Sequence, residues 1–266
     1  MKQEEVITTA ANRRTFLKGA GLTGLSLAAA GMVTTEFAGQ RAEAATTYND
    51  VDILNFALNL EYFEAEYYAM ATYGATLVQL GVITSAQQTG PTTGGKAISG
   101  FATLPEAYLA SALRSDEIEH VMYLRKALGS AAVKKPAINL DALGYGFGNI
   151  DEFLKITRQF EDVGISAYLG AAPLITSKAY LAAAAAIMAT EAQHASAIRT
   201  VCIRNGVTSP AVDSLDVPPS PNLPFNTDNN GLSIPRTIRQ VLNIVYQGTG
   251  CSGGFFPAGL NGNIAC

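Results

Sequence analysis

Both histidines of the 266-residue chain follow a glutamate by three positions, in Glu117-Ile118-Glu119-His120 and Glu191-Ala192-Gln193-His194. On a helix, residues i and i+3 share a face. Each motif therefore offers a carboxylate oxygen and an imidazole nitrogen to one place. Such donors suit iron or manganese and do not exclude zinc. Two more glutamates sit in segments that also repeat: Glu61 precedes Tyr68 by seven residues, and Glu161 precedes Tyr168 by seven. Carboxylates are seldom fully buried unless paired or bound to metal. If all these residues face inward, one metal-binding site explains them better than separate accidents.

The elements that must position them are four long helices. The first is expected over 52–73, capped by Asp50 or Asp52 and closed by Gly74. Its inward seam is Leu54, Leu58, Glu61, Ala65 and Tyr68, in 4-3-4-3 spacing. A loop follows over 81–100. The second helix starts near Leu104-Pro105 and ends near Gly129, with Ala110, Leu113, Glu117, His120, Leu124 and Ala127 inward. Residues 130–150 form another loop. The third begins after Asn149, a good cap, and is interrupted at Pro173. Its seam is Leu154, Thr157, Glu161, Gly164, Tyr168 and Ala171. The fourth runs from Thr176 or Ser177 to Asn205, with Gly206 closing it. Ala184, Ile187, Glu191, His194, Ile198 and Val201 face inward. Helices one and two thus look like a copy of helices three and four.

Off these seams, Glu64, Glu66 and Glu119 read as a solvated face. Tyr68 and Tyr168 are candidates for hydrogen-bond donors behind the ligands or for redox-active groups; the other reading is a core tyrosine with a satisfied hydroxyl. Gly164, beside Glu161, leaves room for a small molecule or for close helix packing. After Gly206 the composition changes. A Pro-rich arm over 208–235 leads to a short helix near 236–247, with Ile238, Val241, Leu242 and Val245 on one face, and then to a Gly-rich strap. The strap is too poor in apolar residues to form a core of its own. The expected organisation is a bundle over about 50–206 with the arm and strap of 207–266 packed on it, one domain over 45–266.

The first 44 residues have the layout of an export signal. Arg13-Arg14 precedes an uncharged run from Gly19 to Val33, and Ala42-Glu43-Ala44 offers small residues for cleavage. The arginine pair resembles a twin-arginine signal, with the translocase as transient partner and a periplasmic, envelope or extracellular destination. The run is shorter than the ~20 residues that a spanning helix needs. Net charge −4 and a pI near 5.2 argue against nucleic acid as partner. Outside the cytoplasm a disulfide can persist; Cys251 with Cys266 is the expected pair, leaving Cys202 free. No Cys-x-x-Cys occurs, which counts against a rubredoxin-type iron relay.

Two helices giving one Glu each and two giving Glu-x-x-His is the ligand pattern of ferritin-like di-iron and di-manganese proteins. The stretches Leu54–Tyr68, Phe160–Pro173, Arg236–Tyr246 and Gly253–Pro257 resemble a ferritin-like family that includes plant desiccation-related proteins and many exported bacterial proteins. The resemblance implies an all-α, ferritin-like four-helix bundle with a long crossover, a Pro/Gly-rich C-terminal arm and a short fifth helix. It implies two Fe or Mn ions, bridged by Glu117 and Glu191, with Glu61 and His120 completing one and Glu161 and His194 the other. Asp116 and Asp162 are the expected partners for the outer ring N–H of the histidines. The family is tied to no single reaction. Redox chemistry on O2 or peroxide in oxidative or desiccation stress is the expected function. The alternative is a non-enzymatic protective or structural protein whose metal is structural, stored or absent. Assembly into a homo-oligomer stays open.

Overall fold

The computed structural model describes residues 48–266; the export-signal stretch at 1–44 lies outside them. Among the described residues five α-helices appear in chain order: α1 Asp50–Tyr73, α2 Ala107–Leu128, α3 Ile150–Ala171, α4 Lys178–Asn205 and α5 Ile238–Val245. Their ends follow local chemistry. Asn49, one residue earlier than expected, caps α1: its side chain accepts from the N–H groups of Val51 and Asp52, and Asp52 accepts in return from the N–H of Asn49 at 3.0 Å. Asp50 instead accepts from the N–H groups of Thr176 and Ser177 at 2.8 and 2.7 Å, tying the starts of α1 and α4 together. Asn149 and Ser177 cap α3 and α4 as expected. Gly74 and Gly206 close α1 and α4 at φ +65° and +68°, a conformation that costs glycine least.

The inter-helix bonds fix the topology. Arg125 binds Tyr62 and Arg114 binds Thr72, so α1 and α2 are antiparallel. Asp162 pairs with Arg199, and Cys202 lies at Leu154, so α3 and α4 are antiparallel. Tyr68 reaches Glu161 while Tyr168 reaches Glu61, so α1 and α3 are antiparallel as well. The end of α2 and the start of α3 therefore lie at opposite ends of the bundle. The connection 129–149 must travel its length, about 33 Å for a helix of this size. This is the long crossover expected from the resemblance, and the architecture is an all-α four-helix bundle.

The crossover and the 74–106 loop are more ordered than loops read from composition. Thr92–Thr93 (β1) pairs in parallel with Ile138–Asn139 (β2), and the N–H of Asn139 donates to Phe255 O in the strap at 2.9 Å. Phe255 and Phe256 pack on Phe63, and Phe255 also on Phe160. Loops and strap together cover the outer side of α1, which is buried on nearly every face. That cover overturns the reading of Glu66 as a solvated face, and Glu64 is buried too, on the inner side; Glu119, on α2, is exposed as expected. Every other seam residue is buried, except that Leu128 replaces Ala127 at the end of α2. A 3.5-residue seam drifts against a 3.6-residue helix, and one position of slip accumulates over that length.

Cys251 and Cys266 form a disulfide, and Cys202 is free and buried. No helix among the described residues is long and apolar enough to cross a membrane.

Candidate metal centre

Glu61 projects from α1, Glu117 and His120 from α2, Glu161 from α3, and Glu191 and His194 from α4; the structure brings all six together in the core. Two overlapping groups of four form. Glu61, Glu117, His120 and Glu191 make one, and Glu117, Glu161, Glu191 and His194 the other. Within each group the donor atoms lie within 4.8 Å of one another. Glu117 and Glu191 belong to both, the position expected of bridging carboxylates.

The histidines face the cluster through Nδ1. His120 Nδ1 stands 3.1 Å from Glu117 Oε2, 3.2 Å from Glu61 Oε2 and 3.4 Å from Glu191 Oε1. His194 Nδ1 stands 3.0 Å from Glu117 Oε1 and 3.3 Å from Glu161 Oε2. On its far side, His194 Nε2 lies 3.0 Å from Asp116 Oδ2, so Asp116 fills its expected role. Asp162 does not: it is buried on α3, where its Oδ2 accepts from Arg199 at 2.6 Å and from Arg158 at 3.4 Å. Two nearby guanidinium groups outcompete an imidazole for that carboxylate.

The tyrosines cross between halves. Tyr68 donates its hydroxyl hydrogen bond to Glu161 Oε1, and Tyr168 donates to Glu61 Oε1. Each is a buried tyrosine with a satisfied hydroxyl, and each restrains a carboxylate of the opposite half.

The electrostatics describe a site with too many acids and too few cations. Burial pushes Glu117 up to about 7 against the pull of both histidines. Burial and the Glu117 carboxylate hold Glu191 well above the usual carboxylate range. Glu61 moves the other way: burial would raise it, but the hydrogen bond and charge of His120 bring it below its ordinary value. Burial would lower His194, yet the Glu117 and Glu161 carboxylates push it up to about 12. His120 is raised for the same reason.

Sequence reasoning missed one member of this neighbourhood. Glu64 is only 6 % exposed. Burial, then the Glu191 and Glu117 carboxylates, push it well above its ordinary range. The signal was present, because Glu64 stands three residues after Glu61, the same spacing that marks each Glu-x-x-His.

The donor set fits metal ions. Five of its buried atoms have no hydrogen-bond partner: Glu117 Oε1, Glu161 Oε2, both oxygens of Glu191 and His194 Nδ1. Some approach one another closely, but without the alignment of a hydrogen bond. Buried polar atoms of native proteins are seldom left this way unless something else satisfies them. Carboxylate and imidazole donors together suit divalent transition metals, iron, manganese and zinc among them.

Among curated proteins none matches the chain. A family model described as a ferritin-like domain matches residues 49–204, more than half of the chain and all four bundle helices but the last residue of α4. By that match, by its crossover topology and by the helices that carry these residues, the chain belongs to the ferritin-like domain family.

Proposed function

We propose that the chain is an exported two-metal carboxylate protein whose ions, iron or manganese, perform redox chemistry on O2 or peroxide. The ligands are Glu61, Glu117, His120, Glu161, Glu191 and His194. The observation that carries this reading is the cluster of six side chains converging from four helices, with five buried oxygen and nitrogen atoms on three of them left unpartnered. Bound there, two such ions would supply a pair of redox-active centres for a small oxygen species. The protein's own residues do the rest. Asp116 holds the ring of His194 so that Nδ1 faces inward. Tyr68 and Tyr168 fix the carboxylates of Glu161 and Glu61. Burial of all six side chains keeps bulk water from the centre. We favour catalase- or peroxidase-like protection in oxidative or desiccation stress. Export rests on the Arg13-Arg14 signal.

Metal content per chain, measured by plasma mass spectrometry on protein from its native compartment, is the first test. About two Fe or Mn per chain are expected. In Glu117→Ala, which removes a member of both groups, the helical signal should persist while metal and peroxide turnover are lost. Unchanged turnover in that variant would end the redox reading. The near-complete burial of the ligands favours one rival, a stress-protective protein with structural or stored metal. That rival keeps the metal, shows no turnover, and melts lower after chelation.

A further inference from the structure

The two halves of the bundle superpose in sequence by fixed offsets. Adding 100 carries Glu61 to Glu161 and Tyr68 to Tyr168; adding 74 carries Glu117 to Glu191, His120 to His194 and Arg125 to Arg199. At one position beside the centre the correspondence fails. Glu64 on α1 corresponds to Gly164 on α3.

The failure is complementary in space. A Cβ added to Gly164 would lie 2.7 Å from Glu191 Oε2 and 3.7 Å from Glu64 Oε1. The room that glycine leaves is shared by those two carboxylates. Glu64 thus points across the bundle into the metal centre, one helical turn from Glu61 on the same face of α1.

Glu66 shows what a buried glutamate with a structural role looks like in this molecule. It is fully buried, yet it accepts from the Leu77 N–H at 3.1 Å and stands 3.6 Å from Lys135 Nζ. Glu64 has no counterpart to either contact. The residue is only 6 % exposed, its carboxylate makes no hydrogen bond or ion pair with any described residue, and the space it faces at Gly164 is shared with the Glu191 carboxylate. Burying a carboxylate in such company is costly unless a cation compensates it. No cationic side chain pairs with Glu64 among the described residues, and both histidines are engaged by the other carboxylates. A helix of ordinary packing would place an apolar side chain here at no such cost.

We infer that Glu64 is a seventh ligand of the centre, a fifth carboxylate that gives one metal position an anionic donor the other lacks. The inference rests on the two-metal reading and adds to it: the two positions are chemically unequal, and a divalent cation fills one more tightly than the other.

The test is calorimetric titration of Mn2+ into the metal-free mature chain, with Glu64→Gln and Glu66→Gln in parallel. The wild type should take up two Mn2+ in two resolved steps. Glu64→Gln keeps the shape and removes the charge. One of its two dissociation constants should rise about 10- to 100-fold, the usual size of losing a supporting group at a metal site, while the other holds. Glu66→Gln, altered on the same helix but outside the centre, should keep both wild-type constants. The metal-free melting temperature checks folding independently, and Glu64→Gln should melt no lower than wild type because Glu64 makes no hydrogen bond or ion pair that the change would remove. If that variant fails to fold, Glu64→Ala replaces it with the same expectation. Wild-type constants in the folded variant overturn the seventh ligand and leave the six-ligand centre standing. A wild-type chain that takes up no Mn2+ overturns both.

Discussion

The two helical hairpins carry the same centre but are held in place differently. In α1–α2, Arg125 donates to the hydroxyl of Tyr62; the corresponding pair in α3–α4 is Arg199 with Asp162. The first lock is neutral on one side. The second is an ion pair, and it extends into the C-terminal arm, where Arg199 also donates to Pro224 O at 2.7 Å and Val217 O at 2.9 Å. One turn earlier on α3, Arg158 is fully buried and binds Asp216 Oδ1 and Oδ2 at 2.7 and 2.6 Å and Ser209 Oγ at 2.6 Å. Its counterpart on α1 is Leu58, also fully buried. The first hairpin is thus sealed by the loops and strap, through Phe255, Phe256 and the buried Lys135, and the second by guanidinium groups that reach into the arm. A duplicated ligand set does not require duplicated support.

The sharpest way to break this comparison is Arg158→Ala. Removing one partner of a buried pair strands Asp216, and such losses cost about 3–5 kcal/mol. For a chain of this size that is a fall in melting temperature of about 10 °C. Limited proteolysis should then cut first within 208–235, because the arm loses its anchor while α1 and its cover do not. A variant that melts like wild type would show that the arm is held by its other contacts, among them Arg236 with Asp213 at 2.7 and 2.8 Å.

Asp116→Asn probes a smaller asymmetry. His194 has a carboxylate behind its ring, 3.0 Å from Nε2. For His120 no such partner stands behind the ring among the described residues; the position corresponding to Asp116 is Thr190, whose hydroxyl donates to Ala186 O instead. The substitution makes the two halves alike in this respect. Titration with Mn2+ should show one dissociation constant rising about 10-fold, the low end of such effects, since the Asp116 side chain is 48 % exposed and its charge is screened. If both constants weaken together, Asp116 acts through general charge and not by holding one ring.

What was legible in the sequence follows from the reach of each interaction. The six clustered side chains, the four helices and the caps of α3 and α4 rest on spacing within a few turns, and 3.6-residue periodicity displays them. The crossing of Tyr68 to Glu161 and Tyr168 to Glu61 was foreshadowed only by matched seven-residue intervals, which say nothing of the partner. Glu64 was misread because its three-residue spacing from Glu61 was not read as a shared inner face, and Glu66 because its surroundings come from afar. Lys135 in the crossover and the Phe255–Phe256 turn in the strap bury that side of α1. No local pattern on α1 announces a cover supplied by residues so distant. Asp162 failed for the same reason, since its guanidinium partners are fixed by how α3, α4 and the arm meet. Its position next to Glu161 suggested the wrong neighbour.

The gentlest test varies pH and compares loaded with metal-free protein. In the metal-free fold, Glu117 is raised from 4.5 to about 7. The folded state then holds a proton that the unfolded chain releases. The resulting stability is complete below pH 4.5 and lost as pH rises through about 7. His194, raised from 6.5 to about 12, gives stability that is complete below pH 6.5 and fades over the range up to 12. The metal-free protein should therefore weaken between about pH 4.5 and about pH 7, and further above pH 7 as His194 begins to lose its contribution. Metal binding has the opposite slope, because ligands must be deprotonated before they coordinate and protons leave as the ion enters. The gap between loaded and metal-free melting temperatures should widen by several degrees across that interval. It should widen less in Glu64→Gln, whose metal-free state carries one acid fewer. A gap that stays constant with pH would mean that the cluster does not exchange protons for metal, and the loaded form would owe its stability to something other than these six side chains.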